Sequence, residues 1–320
     1  MFRRDFLLTS TGAALVPAAR AVYGAATLNH RERVDRAVAC VDVDRQPFTL
    51  WHHFGLKTAE AHAARTLDFH RRYRTDLVKV MSDFPYPKPA GAWYELAVLD
   101  NPFPDQIRAL ELIRNGLNGD AWFIETVFNP WNVAQKLSSA DEVNQLKNEN
   151  PQRLLDALGV IAKSEINHAR RALALGASGI LFSVANANSK EMSVEDYAKF
   201  SAPFDKQILA ALPNGRLNIL HLHVEREYLS QFRDFPAPII NYSVAVSGID
   251  VEDVRRHFPQ VIMGGIDEVR FRHLTEGEMQ HEWRMARAQA GPKYIVAPGC
   301  SVPNDSTEDE LSRLPKAVGA

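Results

Sequence analysis

A chain of 320 residues, 46% of them hydrophobic and 24% charged, can bury a large core, which excludes disordered and collagen-like classes. A net charge of −2 gives no global basic field, so nucleic acid is not an expected partner. Two widely separated cysteines, Cys40 and Cys300, make no disulfide framework.

In chain order, the first segment stands outside the fold. Arg3-Arg4-Asp5-Phe6-Leu7-Leu8 opens a short apolar stretch that runs to Val16, and Ala19-Arg20-Ala21 is a cleavage candidate. Paired arginines followed by x-Phe-Leu resemble a twin-arginine export signal over residues 1–25. That predicts an exported, periplasmic protein; a frayed amphipathic N-terminus on a cytoplasmic one is the alternative. The stretch is too short for a stable membrane span, and no later segment is long and apolar enough. No membrane insertion is therefore expected once the signal is removed.

Beyond residue 30, short apolar runs alternate with longer helix-period segments. The runs are Phe48–Trp51, Leu77–Met81, Trp122–Thr126, Gly179–Ser183, Asn218–His223, Ile239–Tyr242, Val261–Gly264 and Tyr294–Ala297, which makes eight candidate strands. Between them, Asn150–Leu175, Ser193–Leu212 and Val251–His257 carry helical patterns. Ser193 with Asp196 three residues on has the form of a capping box. Strand and helix in strict alternation imply a parallel sheet, and eight units close into a (β/α)8 TIM barrel, here a single domain over residues 30–320. An open doubly wound sheet is the rival; against it, no Gly-x-Gly-x-x-Gly turn follows the first strand.

A barrel carries its chemistry at the C-terminal ends of its strands. Those ends hold His52 and His53, Asp83, Glu125 with Asn129, Asn186, His221 with His223, Asn241, Asp267 and Cys300. His221 and His223 are two apart on a strand, so both imidazoles project into one space. They suit Zn²⁺, with Cys300 as a third ligand and an open fourth position, or else they are hydrogen-bonded histidines capping the core. Gly299 permits a tight turn that presents Cys300 to the mouth; a buried, inert thiol is the other reading. Asp83 can act as general base, cation stabiliser or metal ligand, or simply cap the next segment. His52 and His53 can bind an anionic substrate or form a surface pair. Trp51, Tyr86, Trp93, Tyr94 and Trp131 line a pocket or pack barrel against helices. Gly264-Gly265-Ile266-Asp267 reads as a close-packed turn, since Asp267 would repel phosphate.

Several of these segments together resemble the uroporphyrinogen decarboxylase superfamily, which includes zinc-dependent corrinoid:thiol methyltransferases. They are Arg31-Glu32-Arg33-Val34 through Arg45-Gln46-Pro47, Asp76 to Asp83, Leu175 to Ile180, Met263-Gly264-Gly265-Ile266-Asp267 and Ala297-Pro298-Gly299-Cys300. The resemblance spans nearly the whole chain after residue 30. It implies that Asp83 stands at the decarboxylases' catalytic aspartate. The decarboxylases' Pro-x-x-x-x-Arg-x-x-Gly-Arg motif, however, is here Pro47 to Leu56, with histidine and leucine for the arginines, so bidentate carboxylate recognition is lost. The methyltransferase branch binds zinc through His-x-Cys and a distant Cys. The matching residues are His221, His223 and Cys300, and the Cys-to-His exchange keeps a competent ligand.

Three functions follow as expectations, each with a small-molecule substrate. The first is a divergent enzyme of this family whose Zn²⁺, on His221, His223 and Cys300, serves methyl-transfer-like or other metal-assisted chemistry. Asp83 or Glu125 is then fourth ligand or catalytic base, and His52, His53, Asn129, Asn186 and Asn241 bind substrate. The second is a cofactor-free decarboxylase of a carboxylated pyrrole, akin to porphyrin biosynthesis, using Asp83. The third is an exported barrel that binds a ligand without turnover. Family decarboxylases are often dimers, so the resemblance admits a homodimer, though no interface signal is visible in the sequence.

Overall fold

The computed structural model describes residues 27–320; the predicted export signal lies outside them. The strands are β1 (Leu77–Lys79), β2 (Trp122–Phe128), β3 (Ile180–Ala187), β4 (Ile219–Val224), β5 (Ile239–Tyr242), β6 (Val261–Ile266) and β7 (Tyr294–Pro298). Each is a nearly continuous apolar run buried on both faces, the composition of a parallel sheet covered by helices. They pair in parallel in the order of the chain.

The helices are α1 (His30–Val38), α2 (Ala59–Tyr73), α3 (Pro104–Leu117), α4 (Pro130–Leu137), α5 (Ala140–Glu149), α6 (Pro151–Ala174), α7 (Val194–Phe200), α8 (Ala202–Ala210), α9 (Val244–Ser247), α10 (Val251–His257), α11 (Glu276–Ala290) and α12 (Glu308–Val318). The helix predicted over 193–212 is two helices. It breaks at Ser201, because Pro203 in the first turn of α8 lacks the N–H that a continuous helix would use. Only half of the Ser193 capping box forms: its hydroxyl accepts from Asp196 N, while the Asp196 carboxylate turns to Lys147 at 2.6 Å.

The first of the eight predicted strands forms no ladder of its own. Residues 47–51 lie between β7 and β1, making one parallel bridge, Phe48 to Val296. Thr49 N donates to Val296 O (3.0 Å), Val296 N to Pro47 O (2.9 Å), and Asp76 N to Phe48 O (2.9 Å). The segment therefore closes the ring in the position of a strand. It stays short because Pro47 has no N–H to give and the Phe48 N–H goes to the Asp76 carboxylate at 3.0 Å. The architecture is a TIM barrel in which this segment takes the eighth place.

Inside the ring, Leu77, Ile124, Leu181, Ile219, Ile239, Val261 and Ile295 form one cluster, joined by Val34 from α1. Helix α1 thus covers the N-terminal end of the barrel. The larger cores lie between the sheet and the outer helices. Among the described residues, no helix is long and apolar enough to cross a membrane.

Candidate metal centre

Strand β4 places His221 and His223 on one face, and the turn after β7 brings Cys300 to them. His221 Nε2 lies 3.0 Å from His223 Nε2, and Cys300 Sγ lies 3.5 Å from the same His223 nitrogen. One ligand atom from each of the three residues falls within 4.8 Å of the others. Tetrahedral zinc with ordinary bond lengths sets its ligands about 3.3 Å (N to N) and about 3.6 Å (N to S) apart, so these three atoms already stand near bonding positions.

Second contacts prepare the site. Asn241, the strand-paired neighbour of His221 on β5, brings its Oδ1 within 2.5 Å of His221 Nδ1. Asn241 is itself held, its Nδ2 donating to Met263 O and Pro298 O. Its Oδ1 is thus an acceptor, His221 carries its proton on Nδ1, and Nε2 offers a lone pair to the centre. Burial would raise the Cys300 thiol, but the two imidazoles outweigh it and bring the group down to about 4, so it is a thiolate at neutral pH. The His223 imidazole is raised in turn, chiefly by its contact with Cys300.

Gly299 makes the turn possible. A Cβ there would stand 2.4 Å from Ser243 Cα and 2.7 Å from Glu268 Oε2. Gly299→Ala is therefore expected to move Cys300 and to weaken metal binding while leaving the far-UV circular dichroism close to wild type. Unchanged metal affinity in that variant would show that the turn does not position the thiolate.

His223 and Cys300 border a cavity of about 520 Å³, which also takes in Glu268, Ser243 and Lys190. Glu268 is buried and accepts from Gly299 N at 3.2 Å; burial raises its carboxyl. Its neighbour Asp267, also at the strand end, belongs to the close-packed turn expected there and accepts from Val269 N, Arg270 N and Arg270 Nε. Gly265, at φ 99°, breaks the two-residue alternation and obscures which of the adjacent carboxylates turns inward.

Asp83 and His53 lie apart from this group and pair with each other, His53 Nδ1 to Asp83 Oδ1, at 2.6 Å. Burial would raise Asp83, but the His53 contact outweighs it and the carboxyl is lowered. Its Oδ2 is buried without a partner. Asp83 borders a second cavity of about 260 Å³ with Tyr86, Phe128, Lys136 and Glu165. His52 turns into the core against Phe54 and Phe69, and burial lowers its imidazole.

The other predicted residues are engaged elsewhere. Glu125 is not at a strand end, because β2 continues to Phe128. It faces the helix layer, fully buried, with His168 Nε2 at 3.1 Å and Gln106 Nε2 at 2.9 Å. Asn129 and Asn186 bond to each other and to Ser201, in a buried network that includes Asp205 and Tyr197. Neither Asp83 nor Glu125 joins the His221–His223–Cys300 group, so neither stands as its fourth member. Trp131 is fully buried packing, whereas Tyr86 borders the second cavity.

Lys79 was not a sequence candidate. It is buried inside the barrel with Nζ 2.8 Å from Met81 Sδ and 5.4 Å from the Trp51 ring, and it forms no salt bridge among the described residues. Burial lowers its ammonium to about 8 despite the opposing charges of Cys300, Glu125 and Asp83. The strand parity that puts Leu77, Lys79 and Met81 on one face was the signal that could have found it.

The family model described as uroporphyrinogen decarboxylase (URO-D) matches residues 84–320. No curated protein matches the chain. Among solved structures, a methyltransferase from Methanosarcina mazei is similar at a TM-score of 0.77 and 15% identity, over 91% of this chain and 98% of that one. A B12-independent methionine synthase from Shewanella sp. W3-18-1 is similar at 0.59 and 13% identity, over 86% and 92%. A putative vitamin-B12 independent methionine synthase from Listeria monocytogenes is similar at 0.56 and 7% identity, over 86% and 96%. At these identities the likeness is one of fold.

Proposed function

The chain belongs to the uroporphyrinogen decarboxylase family, and on that premise we propose that it is a zinc-dependent enzyme performing methyl-transfer-like chemistry on a small anionic or thiol substrate. The observation that carries this reading is the convergence of His221, His223 and Cys300, with Asn241 fixing the tautomer of His221. The similar folds include a methyltransferase, a methionine synthase and a putative methionine synthase, so the fold is one that accommodates methyl transfer.

Zinc at these residues would supply Lewis acidity toward a thiol or carbonyl group. Two neutral imidazoles and a single thiolate do not cancel a divalent charge, so the centre favours an anionic group. Lys79 adds a buried positive charge within electrostatic reach of Cys300. Glu268, bordering the same cavity, is the group placed to take up a proton released there. The apolar wall of Leu222, Val224 and Val246 suits a small organic substrate.

The test is metal content and turnover together. Purified protein should hold zinc, and chelation should abolish demethylation of methylcobalamin by a simple alkyl thiol. An apo protein that is fully active would overturn the reading.

One observation favours the alternative of a metal-free decarboxylase: Asp83, with its unpartnered Oδ2, borders a cavity of its own. On that reading, Asp83→Asn abolishes release of carbon dioxide from a carboxylated pyrrole and chelation has no effect. A fully active Asp83→Asn variant excludes it. We propose also that residues 1–25 direct export; sequencing the mature N-terminus after cell fractionation checks this.

A further inference from the structure

The end of the barrel opposite Cys300 carries a second group of metal-ligand side chains. His30 opens α1, His70 lies in the last turn of α2, and Asp120 stands in the turn before β2. One ligand atom from each lies within 4.8 Å of the others. The two imidazoles meet edge to face, with ring centroids 5.5 Å apart.

In both histidines one ring nitrogen is already committed. His30 Nδ1 lies 2.9 Å from Asp76 Oδ1, and His70 Nδ1 lies 3.1 Å from Thr75 Oγ1. This leaves Nε2 of each ring for other use. His70 Nε2 is 3.1 Å from Asp120 Oδ2. His30 Nε2 makes no hydrogen bond among the described residues, so an ordinary His–Asp pair accounts for only part of the group.

Metal-bound histidines characteristically anchor their second nitrogen on a carboxylate or another oxygen, which fixes the ring and makes it a better ligand. Asp76 is unusually suited to that part. It is fully buried and held on several sides by Arg33, Arg45 and the Phe48 N–H, so it cannot swing toward a cation itself. His70 is buried, whereas the Asp120 side chain is open to solvent, which provides an entry path.

We propose that His30, His70 and Asp120 form a second binding site for a divalent transition metal, zinc or a metal of similar preference, with solvent completing the coordination. The nitrogen–nitrogen–oxygen set lacks sulfur and suits zinc, cobalt or nickel better than calcium or magnesium. Its place is structural. It ties α1, which covers the lower end of the barrel, to α2 and to the turn that leads into β2.

Cobalt(II) is the probe that separates the two sites, because thiolate coordination adds a charge-transfer band that an imidazole–carboxylate site lacks. In the full chain carrying His223→Ala and Cys300→Ala, one cobalt per chain should remain bound, with ligand-field absorption and no sulfur band. His30→Gln or Asp120→Asn in that background should weaken it at least about tenfold. Asp120 is exposed, so its variant should fold normally. Should the double variant be unstable, the same substitutions in the otherwise unaltered chain should lower cobalt stoichiometry from two to one and keep the sulfur band. Absence of cobalt from the double variant, or affinity indifferent to both His30→Gln and Asp120→Asn, would overturn the proposal. Either result leaves the reading of the Cys300 site untouched.

Discussion

Cys300→Ala is expected to reduce zinc affinity by more than about 100-fold, and Asn241→Ala by roughly 10–100-fold, the range measured when an outer partner of a metal ligand is removed. The order follows from the atoms. Cys300 is the sole sulfur ligand and, as a thiolate, the only anionic member of the group. Without it, two imidazoles remain 3.0 Å apart, with no negative charge between them and a buried Lys79 nearby. Asn241 touches no metal, yet its Oδ1 holds the His221 proton on Nδ1. Without that acceptor the ring can turn or change tautomer, and the lone pair on Nε2 is no longer fixed. Asn241→Asp keeps the acceptor toward His221 but sets its second oxygen against Met263 O and Pro298 O, so it should recover only part of the affinity that Asn241→Ala loses. Competition against a chromophoric chelator measures all three. Equal retention of metal by Cys300→Ala and the unaltered chain would remove the basis for a catalytic zinc.

The same residues show how far the sequence could be read. Seven apolar runs became strands because each is buried on both faces, where hydrophobicity alone marks a parallel strand. The run at Phe48–Trp51 has the same composition but lost its ladder to two local facts, the missing N–H of Pro47 and the capture of the Phe48 N–H by Asp76. No apolar pattern carries that information.

At the site, period-two spacing was enough to bring His221 and His223 together, and a turn glycine was enough to suggest Cys300. Strand length was less legible. Because β2 runs on past Thr126, Glu125 sits mid-strand and faces His168 instead of the mouth. Asn129 and Asn186 are polar residues near strand ends, and a sequence does not distinguish polar atoms that meet substrate from those that satisfy each other. Lys79 and Glu268 escaped for different reasons: the lysine lies in the middle of the predicted apolar run Leu77–Met81, where charge is unexpected, and the glutamate follows a left-handed glycine.

Asp76→Ala is expected to cost about 3–5 kcal/mol of stability, the penalty for removing one partner of a buried ion pair. Oδ1 of Asp76 accepts from Arg33 at 2.6 Å and stands 2.9 Å from His30 Nδ1; Oδ2 accepts from Arg45 at 2.6 Å and from the Phe48 N–H at 3.0 Å. Burial alone would raise this carboxyl, but His30, Arg45 and Arg33 outweigh it, and the group is lowered. A lowered carboxyl contributes stability above its unfolded pKa of about 3.9, and that contribution is lost as pH falls through the folded value. Wild type should therefore lose stability on acidification below about pH 4 by a margin that Asp76→Ala does not show. Urea denaturation at neutral and acid pH measures both the loss and its pH dependence. Arg33 retains Asp44 at 2.8 Å, so the damage should concentrate where Asp76 has no substitute, at Arg45 and the Phe48 amide. That is the seam between β7 and β1. Hydrogen exchange at Thr49 N and Val296 N, which bond across it, should accelerate more than exchange at the amides joining β3 to β4. Uniform acceleration across the sheet would mean that Asp76 supports the fold globally and that the barrel is closed by something other than this carboxylate.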